Sequence, residues 1–493
     1  MLSPSIILSF VLGYFLILIV LSWLTSKDAR NEEFFIGERK SPWYLVAFGM
    51  IGASLSGVTF ISIPGVIGNL ESANGAFSYM QMVFGYLLGY IVIATVLMPL
   101  YYRLKLTSIY SYLDQRFGFF TYKTGAFYFL LSRTIGASFR LFLVAIVLQK
   151  FVFEPWGVPF PVTVLLTLLL IWIYTFRGGI KTIVWTDSLQ TLFMLVAVGV
   201  TIYTIGSELQ LGLGELITTV KESEYSQMFF WNPKADNYFF KQFFSGAFIA
   251  IVMTGLDQDM MQKNNSCKNI GEAQLNMFFF SITLVIVNLI FVSLGALLYL
   301  YADAQSIAIP DRTDYLFPSL AINHFSVVAG VAFIIGLVAA AYSSADSALT
   351  SLTTSFCIDF LDFEKKDQGD AKDLKHKRYL VHIMFTGILF LVIMAFQYLL
   401  KDDVISNLFK AAGFTYGPLL GLYAFGLFSK RTINDKFAPL VCILSPVISY
   451  LLNANSESLF NDYKFGFEIL MVNGLLTIAG LFLISKRPVP QKL

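Results

Sequence analysis

The sequence predicts an all-α polytopic membrane protein of about thirteen transmembrane helices. Three observations carry this. Of the 493 residues, 56% are hydrophobic and only 13% charged, against roughly 25% charged in soluble domains. The mean hydropathy is +0.69. Apolar runs near the ~20 residues needed to cross a bilayer recur from end to end, leaving no room for a separate soluble domain. The formal net charge of +2 carries no nucleic-acid signature, because the basic residues belong to loops. Cys267, Cys357 and Cys442 lie far apart and suggest neither a disulfide framework nor a metal site.

Taken in order, the candidate spans are 5–25, 42–69, 76–101, 122–150, 157–177, 183–206, 238–256, 272–302, 319–357, 379–399, 403–429, 435–453 and 465–485. The first has no basic residue before it and no clear small-residue cleavage site, so it reads as a retained span. One alternating set of loops carries the basic residues: Lys27, Arg30, Arg39 and Lys40; Arg103, Lys105, Arg116 and Lys123; Arg177 and Lys181; Lys263 and Lys268. It continues with Lys365, Lys366, Lys372, Lys375, Lys377 and Arg378, then Lys430, Arg431 and Lys436, then Lys486, Arg487 and Lys492. The other set holds only Lys150, Lys221, Lys234, Lys241, Arg312, Lys401 and Lys464, which is 7 against 24. The positive-inside rule then places the N-terminus outside and the C-terminus in the cytoplasm of a cell membrane, as an odd number of spans requires.

Few ionisable residues remain inside the spans: Arg133, Arg140, Asp187, Asp346 and Lys410. Burying any one costs roughly 3 kcal/mol or more, so each marks a site unless two of them lock helices together. The second span reads "GMIGASLSGVTFISIPG" from Gly49 to Gly65. Gly52, Gly57, Pro64 and Gly65 weaken its helix, while Ser54, Ser56, Thr59 and Ser62 add hydroxyls. This suits a helix that unwinds at mid-membrane to line a cavity; the alternative is a small-residue packing seam. The seventh span, "FFSGAFIAIVMTGLDQD", has glycines at both ends and runs the opposite way. The five-span spacing suggests two inverted five-helix repeats, each opening with an interrupted helix.

In the ninth span, "AAAYSSADSALTSL" (339–352) places Ala340, Ser343, Ser344 and Ser347 at i, i+3, i+4 and i+7, on one helical face. Asp346 flanks that face. Hydroxyl and carbonyl oxygens with one or two carboxylates form a hard-oxygen site. Without Cys or His ligands nearby zinc and copper do not fit, and there is no carboxylate cage for calcium. Na⁺ is the remaining candidate, its shell completed by carbonyls of the second span. The bland reading is that each serine bonds its own i−4 carbonyl; Asp346 weighs against it.

"GGIKTIVWTDSLQT" (178–191) and "GLDQDMMQKNNSCKN" (255–269) resemble signatures of the sodium/solute symporter family. "FFIGERKSPWY", "SIYSYLDQRFG" and "LFSKRTIN" resemble its recurring loops. "GASLSGVTFISIPG" and "AAAYSSADSALTSL" are similar to its sodium-binding helices, nearest in motif to bacterial sialic acid symporters. The resemblance implies a LeuT-type core of ten helices at 42–429, preceded by one helix and a cytoplasmic loop (1–41) and followed by two helices (430–493). It implies Na⁺-driven import of a small hydrophilic solute, first of all a carboxylate such as sialic acid, with a neutral sugar or amino acid as the alternative. By the same resemblance, the common sodium site falls on the carbonyls of Gly52, Leu55 and Ala340 and the hydroxyls of Ser343 and Ser344. A second sodium site falls on Asp187, Ser343, Asp346 and Ser347, with Asp346 standing where those symporters carry a serine. Substrate contacts fall on Ser54, Ser56, Thr59, Gln81 and Arg133, the last as the partner of a substrate carboxylate. Val58 and Thr59 replace the Glu and Gln of the sugar-transporting members, which argues against a neutral hexose. Arg140 departs from the pattern, as a second anion contact or a helix tether.

A channel needs a filter motif and a sensor needs an attached signalling domain; neither is visible. No HExxH, GxSxG or phosphate-cradling loop points to an enzyme, and His324, His376 and His382 lie in or near loops and span ends. The expected partners are the solute, Na⁺ and the bilayer, with no nucleic acid and no obligatory protein subunit.

Overall fold

The computed structural model describes residues 3–25, 41–70, 72–363, 371–400, 404–461 and 463–486. The basic residues Lys27, Arg30, Arg39, Lys40, Lys365, Lys366, Lys401, Arg487 and Lys492 lie outside them. Among the described residues, nine helices are long and apolar enough to cross a membrane: Pro4–Thr25, Trp43–Val66, Ala76–Leu104, Phe119–Trp156, Thr182–Leu209, Ile270–Ala304, Val327–Phe360, Asp373–Leu399 and Asp435–Ala454. Two more predicted spans are bent pairs, Phe239–Gly255 with Gln258–Asn265 and Val404–Thr415 with Gly417–Phe428. The remaining two fall on shorter apolar helices, Phe160–Thr175 and Ile469–Leu483.

The fifth and sixth predicted spans form one helical run, Phe160–Leu209, whose two arms are antiparallel. Neighbouring Tyr14 and Phe15 pack on Phe193 and Tyr174 respectively, ring centroids 5.6 and 6.4 Å apart. A straight helix would hold those two partners roughly 28 Å apart along its axis. Against the ninth span, Ala197 meets Gly336 while Asp187 meets Ser343 and Ser347. Tyr174, on the other arm, returns to Asp346.

Two crossed pairings build the core. The second span runs in the same direction as the eighth: Trp43 packs on Phe279, Phe60 on Phe291, and Gly295 against Pro64. The third runs with the seventh: a Cβ on Gly85 would lie 1.9 Å from the Phe243 carbonyl oxygen, one on Gly89 2.5 Å from that of Ala247, and one on Gly255 2.7 Å from Ile93 Cγ1. Each interrupted helix is thus held by the helix that follows its counterpart, as expected of two inverted repeats. The second span is 89% buried within the protein, so its small residues do not face lipid.

The loops that the charge pattern assigns to one side do meet. Ser41 N–H donates to the Ser266 carbonyl at 3.0 Å. Arg116 NH2 donates to the carbonyls of Ser429 (2.5 Å) and Arg431 (2.9 Å). Thr432–Ile433 pairs antiparallel with Ser485–Lys486. His382, near the start of a predicted span, is buried within hydrogen-bonding distance of Thr175 (3.2 Å) and Thr353 (3.0 Å), and ties three helices together.

Candidate functional site

The second span breaks at Ser56, which has φ 47° and ψ 173°. That region is costly for any residue but glycine, so the surrounding packing must hold it. The unwound turn opens on a cavity of about 690 Å³ of empty space, its solvent-open part included. Ser54, Ser56 and Thr59 line it together with Leu55, Tyr79, Tyr86, Tyr90, Arg133, Arg140 and Asn288.

Just before the break, the chain meets the serine face of the ninth span. Ser344 Oγ donates to the Ala53 carbonyl at 3.1 Å. A Cβ on neighbouring Gly52 would lie 3.4 Å from Ser343 Oγ and 2.2 Å from Thr191 Oγ1. Gly52 therefore permits close helix approach; the backbone turn itself belongs to Ser56. Ala340 is buried on the same helix as Ser343 and Ser344. The structure thus brings Gly52 and Ala53 to the serines that the sequence singles out.

Asp187 gathers the other half of the predicted cluster. It accepts hydrogen bonds from Ser343 Oγ (2.8 Å) and Ser347 Oγ (3.2 Å). Asp346, one position from Ser347, turns elsewhere: its Oδ2 accepts from Tyr174 OH at 3.0 Å and its Oδ1 from Ser347 N–H at 2.5 Å. Asp187, Ser343 and Ser347 converge; Asp346 flanks them from another side.

Two substrate expectations are corrected. Gln81 does not line the cavity. It is fully buried, donating to the Asn237 carbonyl (2.8 Å) and the Ser78 carbonyl (3.3 Å) and accepting from Phe230 N–H (3.1 Å). Its polar atoms anchor the 224–238 connection. Arg133 does reach the cavity, but its guanidinium pairs with Asp259. Arg140, two turns further on, lines the cavity, and its Nε and Nη1 have no hydrogen-bond partner among the described residues. Lys410, counted inside its span, is exposed.

Sequence reasoning missed the charged second half of the seventh span. The helix bends 63° between Gly255 and Gln258. Asp257 caps the next turn, accepting from Asp259 N–H at 3.0 Å and from Tyr416 OH at 2.9 Å. Lys263, assigned to a cytoplasmic loop by its position in the chain, is 1% exposed. Its Nζ lies 2.8 Å from Asp187 Oδ2 and 3.7 Å from Asp259 Oδ1. The dense charge of "LDQDMMQK" reads as solvated loop; the i, i+4 placement of Asp259 and Lys263 is the signal that it is helical and paired.

The model of the sodium:solute symporter family matches residues 34–438. The chain belongs to the sodium:solute symporter family. It is therefore a sodium-coupled, multi-pass membrane transporter. It is 24% identical over 477 residues to the sodium/sialic acid symporter NanT of Aliivibrio fischeri, covering 92% of this chain and 89% of that one. It is 24% identical to the sodium/sialic acid symporter SiaT of Proteus mirabilis over 494 residues, 96% and 95% of the two chains. The sodium-coupled monocarboxylate transporter 2 of Bos taurus is 26% identical over 414 residues, 81% of this chain and 64% of that one. Among solved structures, a substrate-bound, outward-open sodium-coupled sialic acid symporter aligns with a TM-score of 0.79 at 20% identity, over 98% of this chain and 99% of the other. The LeuT-type fold follows; at that identity the likeness says nothing further of the solute.

Proposed function

We propose that this symporter carries a small hydrophilic carboxylate inward with Na⁺, a sialic acid being the first candidate. One observation carries the reading: Arg140 lines the cavity beside the broken helix, and two of its buried guanidinium donors have no hydrogen-bond partner among the described residues. A buried, unpaired cation is expensive, and a carboxylate satisfies a guanidinium fork with two parallel bonds. Ser54, Ser56, Thr59 and the unpartnered Oδ1 of Asn288 surround it with groups suited to hydroxyl and amide functions. The names of the two symporter relatives point the same way. A smaller monocarboxylate is the second reading, favoured by the apolar wall of Ile249, Met253, Leu408 and Phe409 and by the monocarboxylate transporter relative.

In this reading, one Na⁺ sits among the carbonyls of Gly52, Leu55 and Ala340 and the hydroxyls of Ser343 and Ser344. A second sits at Asp187 with Ser343 and Ser347, and Asp346 adds its charge at the flank. The transport core is 42–429, the N-terminus faces outward and the C-terminus lies in the cytoplasm of the cell membrane. The protein performs no chemistry on the solute.

The test is uptake into proteoliposomes of an acid against its methyl ester and amide, with sodium or choline outside. Only the acid should be carried, and only with sodium. A charge-assisted bond is worth roughly 1.5–3 kcal/mol, so Arg140→Ala should weaken binding about ten- to a hundredfold, and Arg140→Lys should recover only part of it because a point charge makes no fork. Equal transport of acid and ester would exclude the carboxylate.

A further inference from the structure

A chain of buried charges joins the two candidate sites. Asp187, at the serine face, pairs with Lys263; Lys263 also reaches Asp259; and Asp259 holds Arg133, which lines the solute cavity. All four side chains are at most 4% exposed. We propose that Lys263 is the internal competitor of sodium at Asp187, and that its transfer to Asp259 is what frees Arg133 for the solute. The proposal rests on the second cation place and the anionic solute argued above.

An ionised Asp187 held only by the Ser343 and Ser347 hydroxyls is costly, because a buried carboxylate without a countercharge loses several kcal/mol of solvation. Lys263 supplies the charge before sodium arrives. Sodium, held by the Asp187 carboxylate and the Ser343 and Ser347 oxygens, would put a second cation against the ammonium. Asp259 Oδ1 already lies 3.7 Å from Nζ, within reach of a flexible four-carbon stem. Asp259 has been giving its other oxygen to Arg133. Once it shares its charge with an approaching ammonium, the guanidinium is free to turn into the cavity. One sodium and one carboxylate then enter together and add no net charge to the network. Lys263 acts here as a positioning residue: it touches neither solute nor transported ion.

A plain ion lock between helices makes a different prediction. Removing it would loosen the sodium site, whereas removing a competitor tightens it. The experiment uses the full chain in detergent, with sodium titrated against choline and followed by thermal shift, then sialic acid binding by calorimetry. Lys263→Gln should lower the sodium half-saturation about tenfold, the factor corresponding to one lost charge-assisted contact, while shrinking the sodium enhancement of sialic acid binding. Asp259→Asn should let sialic acid bind in choline nearly as well as the parent does in sodium. Lys263→Arg, which keeps the cation, should behave as the parent. A Lys263→Gln protein with a cooperative melt and an unchanged or raised sodium half-saturation overturns the proposal, as does an Asp259→Asn protein that keeps the full sodium requirement. If sialic acid fails to bind the parent in saturating sodium, the solute reading fails by itself, and the sodium titration still decides the role of Lys263.

Discussion

The two interrupted helices open in different ways. Trp43–Val66 contains no charged residue and breaks at one residue, Ser56, with helix on both sides. The seventh span ends its first half in a π-turn at Ile251–Gly255, bends 63° and restarts on an Asp257 cap, with Asp259 and Lys263 in its eight-residue second half. The first break offers neutral carbonyl dipoles and hydroxyls. The second fixes charged side chains, each with a partner from elsewhere in the chain: Tyr416 for Asp257, Arg133 for Asp259 and Asp187 for Lys263. A break made of dipoles can receive a cation with little rearrangement. A break made of paired charges must exchange partners when a new charge arrives, and so can report that arrival elsewhere.

Three substitutions would sharpen or break this contrast. The largest effect is expected at the charged break. Asp257→Ala removes a helix cap, worth about 1 kcal/mol, and leaves the Tyr416 hydroxyl without its partner, about 1–3 kcal/mol more. The melting temperature should fall by several degrees and sodium-driven uptake should be lost; a stable, active variant would mean that this break needs no fixed carboxylate. Next is Gly52→Ala. The new Cβ would overlap Thr191 Oγ1, which is held by the carbonyls of Phe48 (3.0 Å) and Asp187 (2.8 Å). Overpacking of this kind costs about 1–3 kcal/mol. It should appear as a raised sodium half-saturation, because the second span can no longer approach Ser343 and Ser344. Gly57→Ala should do least, since its Cβ would meet Val144 Cγ2 at 3.4 Å, the Arg140 carbonyl oxygen at 3.7 Å and Ala341 Cα at 3.8 Å, all ordinary contact distances. If a thermal and uptake comparison finds it as damaging as Gly52→Ala, the neutral break turns on Gly57 rather than on Ser56.

Much of the architecture was legible because hydropathy adds up along the chain. Twenty apolar residues span a bilayer whatever their neighbours do, and each of the thirteen candidate spans coincides with an apolar helix or bent helix pair. Helical spacing likewise places Ser343, Ser344 and Ser347 on one face, and the run of small residues at 49–65 marks the broken helix. Which residue carries the break was not legible: Gly52 and Gly57 looked suited to it, yet packing puts the positive φ on Ser56. Nor was the choice between the two arginines. Arg133 and Arg140 share a helix face and a chemistry. Only the folded chain sets Asp259, 126 positions away, beside the first and leaves two donors of the second, which lines the cavity, without a partner among the described residues. Gln81 and Lys263 were misplaced for the same reason: a cavity wall, a loop anchor and a buried ion pair can share one local sequence pattern. What the sequence alone determined are properties of position along a helix, set by one-dimensional sums and periods. What the tertiary structure decided are charge partnerships, because electrostatic and hydrogen-bond energies change over a few ångströms of distance between residues that the chain keeps far apart.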